Sequence, residues 1–325
     1  MGSDRTFLDQ FNHHFERIND ELGRDLNSYI SLIEDIGQHS LLGEGKRLRP
    51  LLYVLSCKLC GYQGGDVYRF STIFEYAHTA SLLHDDVLDN AEMRRKKPSA
   101  SHIWGNSAAV LGGDFFYSRA VAIALDINNM RLSKALNDTV ARMVEGQFLE
   151  LENSHNWTMK KDEYMDIIVA KTAVLISAAC RCGAIIAGAE KHAVDHLGKF
   201  GLNLGIAFQL IDDILDYTSC QKDLGKPVGK DLREGKITLP LIYTLSDLES
   251  AEIERLKDLF SNHKADDEDY KRLITRVRNR EIIERIRSDA KDYVDKAAGF
   301  LDLFPGSPVK ENLVALSKYI IKRNF

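Results

Sequence analysis

Two acidic clusters with the same internal spacing stand 127 positions apart in this chain, Asp85-Asp86-x-x-Asp89 and Asp212-Asp213-x-x-Asp216. Each is embedded in an apolar run, SLLHDDVLDNAEMRR and FQLIDDILDYT, so carboxylates occupy places where a folding chain normally puts leucines. On a helix, side chains at i, i+1 and i+4 project toward one side. Charges in such surroundings must be paired or must coordinate metal. Magnesium is a hard cation that typically spans one or two carboxylates and a substrate phosphate. The spacing therefore constrains the chain to a helical fold carrying a two-sided magnesium clamp for a polyphosphorylated ligand.

The remainder of the sequence supports one large all-α domain, taken as residues 1–325. A chain of this length could hold two domains, but it has only six prolines and no long linker. Helical periodicity runs through 5–38, 47–61, 66–90, 99–105, 108–126, 130–152, 161–188, 191–217, 237–245, 250–261, 267–275, 279–302 and 308–323. Segments 161–188 and 191–217 are apolar on more than one face and belong in the centre of a bundle. The simplest architecture places the two acidic helices across a central cavity. Thr218 to Lys236 is polar, rich in glycine and lysine, and follows the second cluster directly, which suits a lid over a bound anion.

Composition removes several function classes. A net charge of −5 gives no overall attraction to nucleic acid. No stretch reaches the roughly 20 uninterrupted apolar residues of a bilayer span, since Val174 to Ala189 is broken by Arg181. The N-terminus shows no signal-peptide pattern, so a cytoplasmic setting is expected. Among the five cysteines, Cys57 and Cys60 form a CxxC without a second matched pair, and buried reduced thiols are expected.

Two basic patches lie near the first cluster. Arg94-Arg95-Lys96-Lys97 follows Asp89, and Gly43-Glu44-Gly45-Lys46-Arg47-Leu48-Arg49-Pro50 places cations in a glycine-containing turn at a helix start. Such turns offer backbone N–H groups and a positive helix end to anions. With two metal clusters, these patches imply two phosphate groups, one metal-bound and one held by basic side chains. His78 stands two helical turns before Asp85, on roughly the same face. A His84-Asp85 metal step of the phosphohydrolase type would need further matched histidines, which His102 and His155 do not supply.

The ordered strings GKRLRP (45–50), HTASLLHDDVLDNAEMRR (78–95), Lys171-Thr172 and GIAFQLIDDILD (205–216) closely resemble the trans-polyprenyl diphosphate synthases, over the chain from about residue 20 onward. The resemblance implies head-to-tail condensation of isopentenyl diphosphate with an allylic prenyl diphosphate. It implies magnesium held by Asp85 and Asp89, with Asp86 behind them, and by Asp212 with Asp213 and Asp216, three ions in all with diphosphate bound. Arg94, Lys171, Thr172 and Gln209 would contact the allylic diphosphate, joined by Lys226 and Lys236 from the lid. Lys46, Arg49, His78 and Arg95 would hold isopentenyl diphosphate. A homodimer is implied, and the apolar product suggests peripheral membrane contact. Two departures are Lys96-Lys97-Pro98, where the family more often has glycine after the arginines, and Glu44 beside the anion pocket.

The chemistry asks for groups that stabilise a departing diphosphate, and for a water-poor apolar cavity in which an allylic cation survives. Ala77, Ala80 and Ser81 are small at the level where the family resembles a tunnel with an early floor, so the product should pass them. Phe74 lies roughly 16 Å down the helix from Asp85. Its ring either caps a medium-length chain or turns into the core. The expectation is an all-trans product of about C40, with C15 to C30 the alternative. A class I terpene cyclase is disfavoured by the second aspartate motif and by Lys46 and Arg49. A non-catalytic synthase subunit should have lost site residues, and none is missing.

Overall fold

The structure is a computed structural model that describes residues 7–43, 45–219, 228–262 and 264–322. Helices dominate: α1 Asn12–Asp25, α2 Ser31–Ser40, α3 Leu48–Leu59, α4 Val67–Leu88, α5 Ala100–Trp104, α6 Asn106–Asp126, α7 Met130–Glu152, α8 Lys161–Ile168 and α9 Val174–Ile186. They continue with α10 Lys191–Thr218, α11 Lys230–Arg233, α12 Leu239–Ser246, α13 Ser250–Ser261, α14 Asp267–Val277, α15 Arg280–Phe300 and α16 Pro308–Lys322. The only strands among the described residues are β1 Met93–Arg94 and β2 Lys97–Pro98, a two-residue antiparallel pair.

Contacts group the chain into two compact units, the first built from Met1–Ala141, Leu175–Gly201 and Phe300–Ala315, the second from Arg142–Val174, Leu202–Gly299 and Leu316–Phe325. In the first, α4 packs along α6 and against α3 and α1. From Phe70 to Ala77 α4 is buried on every face, which its mixture of Phe, Ile, Tyr and Ala permits. Phe74 is wholly buried, its ring 5.3 Å from that of Tyr53 on α3. The second unit has its own core, in which Tyr164 of α8, Leu210 and Ile214 of α10 and Leu241 of α12 are all within a few per cent of full burial.

Two expected helices differ from the structure. The segment 5–38 is not continuous: α1 ends at Asp25 and α2 begins at Ser31. Ser28 Oγ accepts the Ile30 N–H at 3.2 Å, and Arg119 Nη2 donates to the Asp25 carbonyl at 3.2 Å, so side chains satisfy backbone groups that a continuous helix would have used. The segment 161–188 is interrupted by a π-helical turn, Val169–Ala173, closed by the Val174 N–H on the Val169 carbonyl. Part of the expected lid is helical, as α11, and residues 220–227 lie outside the described residues. The RRKKP break is a tight hairpin with Arg95 and Lys96 at φ 49° and 64°. Both central φ values are positive, which matches strand twist and normally favours glycine or asparagine.

Candidate active site

The first cluster sits at the C-terminal end of α4. Asp85 and Asp89 are part-exposed, whereas Asp86 is 2% exposed and turned inward. Arg94 Nε donates to Asp86 Oδ1 at 2.6 Å, so the middle aspartate holds an arginine at the site wall. Burial and the neighbouring Asp85 push the Tyr117 phenol up to about 12, which keeps it a neutral donor.

The basic pocket is assembled in the same unit. A small cavity is lined by His39, Thr79, Leu82, Asp86, Arg94 and Arg95, among others. Gly45 lies against it, since a Cβ there would meet Arg47 Nη1 at 2.8 Å and Arg95 Nη1 at 3.1 Å. Burial first, then the guanidiniums of Arg49, Arg95, Arg94 and Arg47, hold the His78 imidazole well below its ordinary range. His78 is thus a neutral hydrogen-bonding group among cations. The GKRLRP turn depends on Arg47, which adopts φ 46° and points into the core. Its Nη1 donates to Glu75 Oε1 at 2.7 Å, its Nε to Asn19 Oδ1 at 2.9 Å and its Nη2 to the Gly43 carbonyl at 3.0 Å. Glu44 lies outside the described residues. His84 is structural, its Nε2 3.1 Å from the Val110 carbonyl and 3.3 Å from Asp114 Oδ1.

Asp213 of the second cluster lines a cavity of about 160 Å³ in the second unit, together with Glu150, Tyr164, Lys171, Thr172, Gln209, Asp231 and Lys236 among others. Four residues expected at the allylic diphosphate, Lys171, Thr172, Gln209 and Lys236, are therefore brought together. Of the other two, Arg94 lines the cavity of the first unit and not this one, and Lys226 lies outside the described residues. Lys171 and Thr172 sit in the π turn, a local form often found at functional sites. The turn is gripped by two glycines. A Cβ on Gly146 of α7 would fall 2.7 Å from the Lys171 nitrogen, and one on Gly205 of α10 would fall 2.6 Å from Ala173 Cα. Lys171 Nζ pairs with Glu150 Oε2, and Thr172 Oγ1 donates to Gln209 Oε1 at 3.0 Å.

Asp212 is part-exposed, while Asp213 and Asp216 are 2% and 3% exposed. Asp213 accepts from Tyr164 OH at 2.5 Å and from Gln209 Nε2 at 2.7 Å. Burial, then Asp231, push its carboxyl well above the usual carboxylate range, against the pull of those two donors. Asp216 ties down the described C-terminal part of the expected lid: its Oδ2 accepts the Asp231 N–H at 3.1 Å and its carbonyl accepts the Gly229 N–H at 3.0 Å.

No three His, Cys, Asp or Glu side chains among the described residues form a ready-made metal cage. Magnesium is usually bound by one or two carboxylates together with waters and substrate phosphates. The donors are all oxygens, and carboxylates are in excess around Asp213, so the residues fit that ion. Sequence reasoning missed Asp231, Glu150, Tyr164 and Arg47. Asp231 was hidden among the lysines of the polar stretch, and Tyr164 had the appearance of an ordinary core aromatic.

An all-α molecule with a basic anion pocket at one acidic helix end, and an acidic cavity lined by lysines near another, is a transferase for phosphorylated substrates. The chain belongs to the polyprenyl synthetase family, whose model matches residues 30–277, and it is a prenyltransferase. Octaprenyl diphosphate synthase of Escherichia coli is 36% identical over 94% of this chain and 95% of its own. Heptaprenyl diphosphate synthase component 2 of Bacillus subtilis is 33% identical over 97% and 89%. A polyprenyl synthase from Caulobacter crescentus, solved with calcium and isoprenyl diphosphate, superposes with a TM-score of 0.93 at 34% identity, covering 99% of this chain and 98% of that one. Members of the family use isopentenyl and allylic diphosphates and are generally magnesium-dependent.

Proposed function

We propose that this chain extends an allylic diphosphate by successive isopentenyl units to an all-trans product of about C40, the length named for the octaprenyl relatives. The observation that carries the reading is the convergence of Lys171, Thr172, Gln209 and Lys236 on one cavity beside Asp213. These side chains bind and orient the allylic diphosphate as its C–O bond breaks. Arg49, His78, Arg95 and Lys46 hold isopentenyl diphosphate, whose double bond attacks the allylic cation. The proton lost from the new unit passes to the released diphosphate. Asp85, Asp89 and Asp212, the three part-exposed aspartates, hold magnesium, three ions in all. Bound magnesium stabilises the charge that develops on the leaving group.

A homodimer is proposed from α6. Its most apolar window has a mean hydropathy of 1.3 yet is only 39% buried, with Leu111 66% and Val121 46% exposed. Residues 1–325 are taken as one functional domain in the cytoplasm. There the described cysteines stay reduced, and burial pushes Cys180 and Cys182 up to about 12.

A second reading, a product of about C15 to C30, requires the Phe74 ring to cap the growing chain. The ring instead turns into the core, wholly buried and 5.3 Å from that of Tyr53, so it does not favour the shorter product. Mass analysis of the product from labelled isopentenyl diphosphate and farnesyl diphosphate separates the two. Asp85→Ala and Asp212→Ala should each lower turnover by at least about 10²-fold with the fold intact. Near-normal turnover in either would remove the metal assignment. Product formation by the purified chain alone excludes a non-catalytic subunit.

A further inference from the structure

The aspartate at the centre of the second motif is held from two sides by groups on different elements. Tyr164 of α8 donates to Oδ2 at 2.5 Å and Gln209 of α10 donates to Oδ1 at 2.7 Å. Gln209 has one amide orientation that serves both neighbours: its Nε2 faces Asp213 and its Oε1 accepts from Thr172 Oγ1 at 3.0 Å. With Oδ2 taken by the Tyr164 hydroxyl, Oδ1 accepts the Gln209 amide, and the amide in turn fixes the Thr172 hydroxyl. Tyr164 is 2% exposed and begins this chain of bonds. A buried tyrosine needs a partner for its hydroxyl in any fold. Here the partner is a carboxylate whose other oxygen sets the diphosphate-binding groups.

We propose that Tyr164 is a positioning residue for the allylic diphosphate, acting through Asp213 and Gln209 on Thr172. This rests on the reading of the second-unit cavity as the allylic site. The hydroxyl is the part that matters, because phenylalanine would fill the same space in the core. Without it, one oxygen of a buried carboxylate loses its donor, and the carboxylate is no longer fixed against Gln209.

The test is steady-state kinetics of Tyr164→Phe with each substrate varied in turn, alongside thermal unfolding. The expected result is a KM for the allylic diphosphate raised about 10-fold or more, as for a buried polar group left without its hydrogen bond, with the KM for isopentenyl diphosphate unchanged. Asp213→Asn keeps the side-chain shape and should show the same one-sided pattern. In a double-mutant cycle, Tyr164→Phe and Thr172→Val should be less than additive, because both break one chain of bonds. A purely structural tyrosine would lower the melting temperature and leave the ratio of the two KM values as in wild type. That result, or additivity in the cycle, overturns the proposal. If Lys171→Ala and Thr172→Val raise the allylic KM while Tyr164→Phe does not, only the positioning role falls. If those two variants also leave the allylic KM unchanged, the reading of the cavity itself is wrong.

Discussion

The Arg47–Glu75 pair offers a quantitative test of how the basic pocket proposed for isopentenyl diphosphate is built. Both side chains are almost fully buried, at 4% and 5% exposure, and the ion pair measures 2.7 Å. Replacing Glu75 by leucine strands a buried guanidinium, which costs about 3–5 kcal/mol. Replacing Arg47 by methionine strands a carboxylate at similar cost and also removes the donors to Asn19 and the Gly43 carbonyl, adding about 1–2 kcal/mol. The double variant leaves neither charge unpaired, so its loss should be only about 1–3 kcal/mol. The coupling is then at least about 3 kcal/mol, readable from urea midpoints of the four proteins. The folded double variant should also show a raised KM for isopentenyl diphosphate, because Lys46 and Arg49 flank the residue that anchors their turn. Additive losses, with the double variant as unstable as the sum of the singles, would refute the claim that the pair is a buried, mutually dependent anchor.

His14 is 4% exposed, lies 2.8 Å from Tyr68 OH, and is held down to about 3, by burial first and then by Lys58, His13 and Arg17. Its neutral form is the folded form, so it favours the native state above pH ~6.5 and that contribution is lost as pH falls toward 3. His14→Gln should therefore lose less stability than wild type between pH 7.5 and pH 5 in denaturant titrations, and an equal loss in both would contradict this. Leu111→Glu on the outward face of α6 should convert a dimer to monomer in sedimentation velocity, and an unchanged sedimentation coefficient would discard that face as the interface. Phe74→Leu should leave the product-length distribution unchanged under the C40 reading. A shift to longer products would make the Phe74–Tyr53 pair the floor and favour the shorter wild-type product.

Helical periodicity, a local signal, made the helical class legible in the sequence, and the DDxxD spacing marked Asp86 and Asp213, which line the two cavities. The sequence did not carry the division of labour within each motif. Asp85 and Asp86 are adjacent and chemically identical, and only packing reveals that Asp86 turns inward to Arg94 while Asp85 stays accessible. Asp213 behaves likewise, through a tyrosine 49 positions away. The break after Asp25 was signalled by Asn27 and Ser28, but an arginine distant in sequence completes it. The π turn leaves no compositional trace, since Val169 to Ala173 reads as ordinary helix.

That turn makes the proposed allylic site depend on chain length as well as on residue identity. A π turn holds one residue more than the α-helical turn it replaces. Removing a single residue such as Ala170 would restore a regular helix and swing Lys171 by about 100° away from Glu150. Gly146 and Gly205 would remain shaped for a bulge that had vanished. Along this stretch a one-residue deletion should thus be more damaging than most substitutions, and the site is encoded partly as a phase.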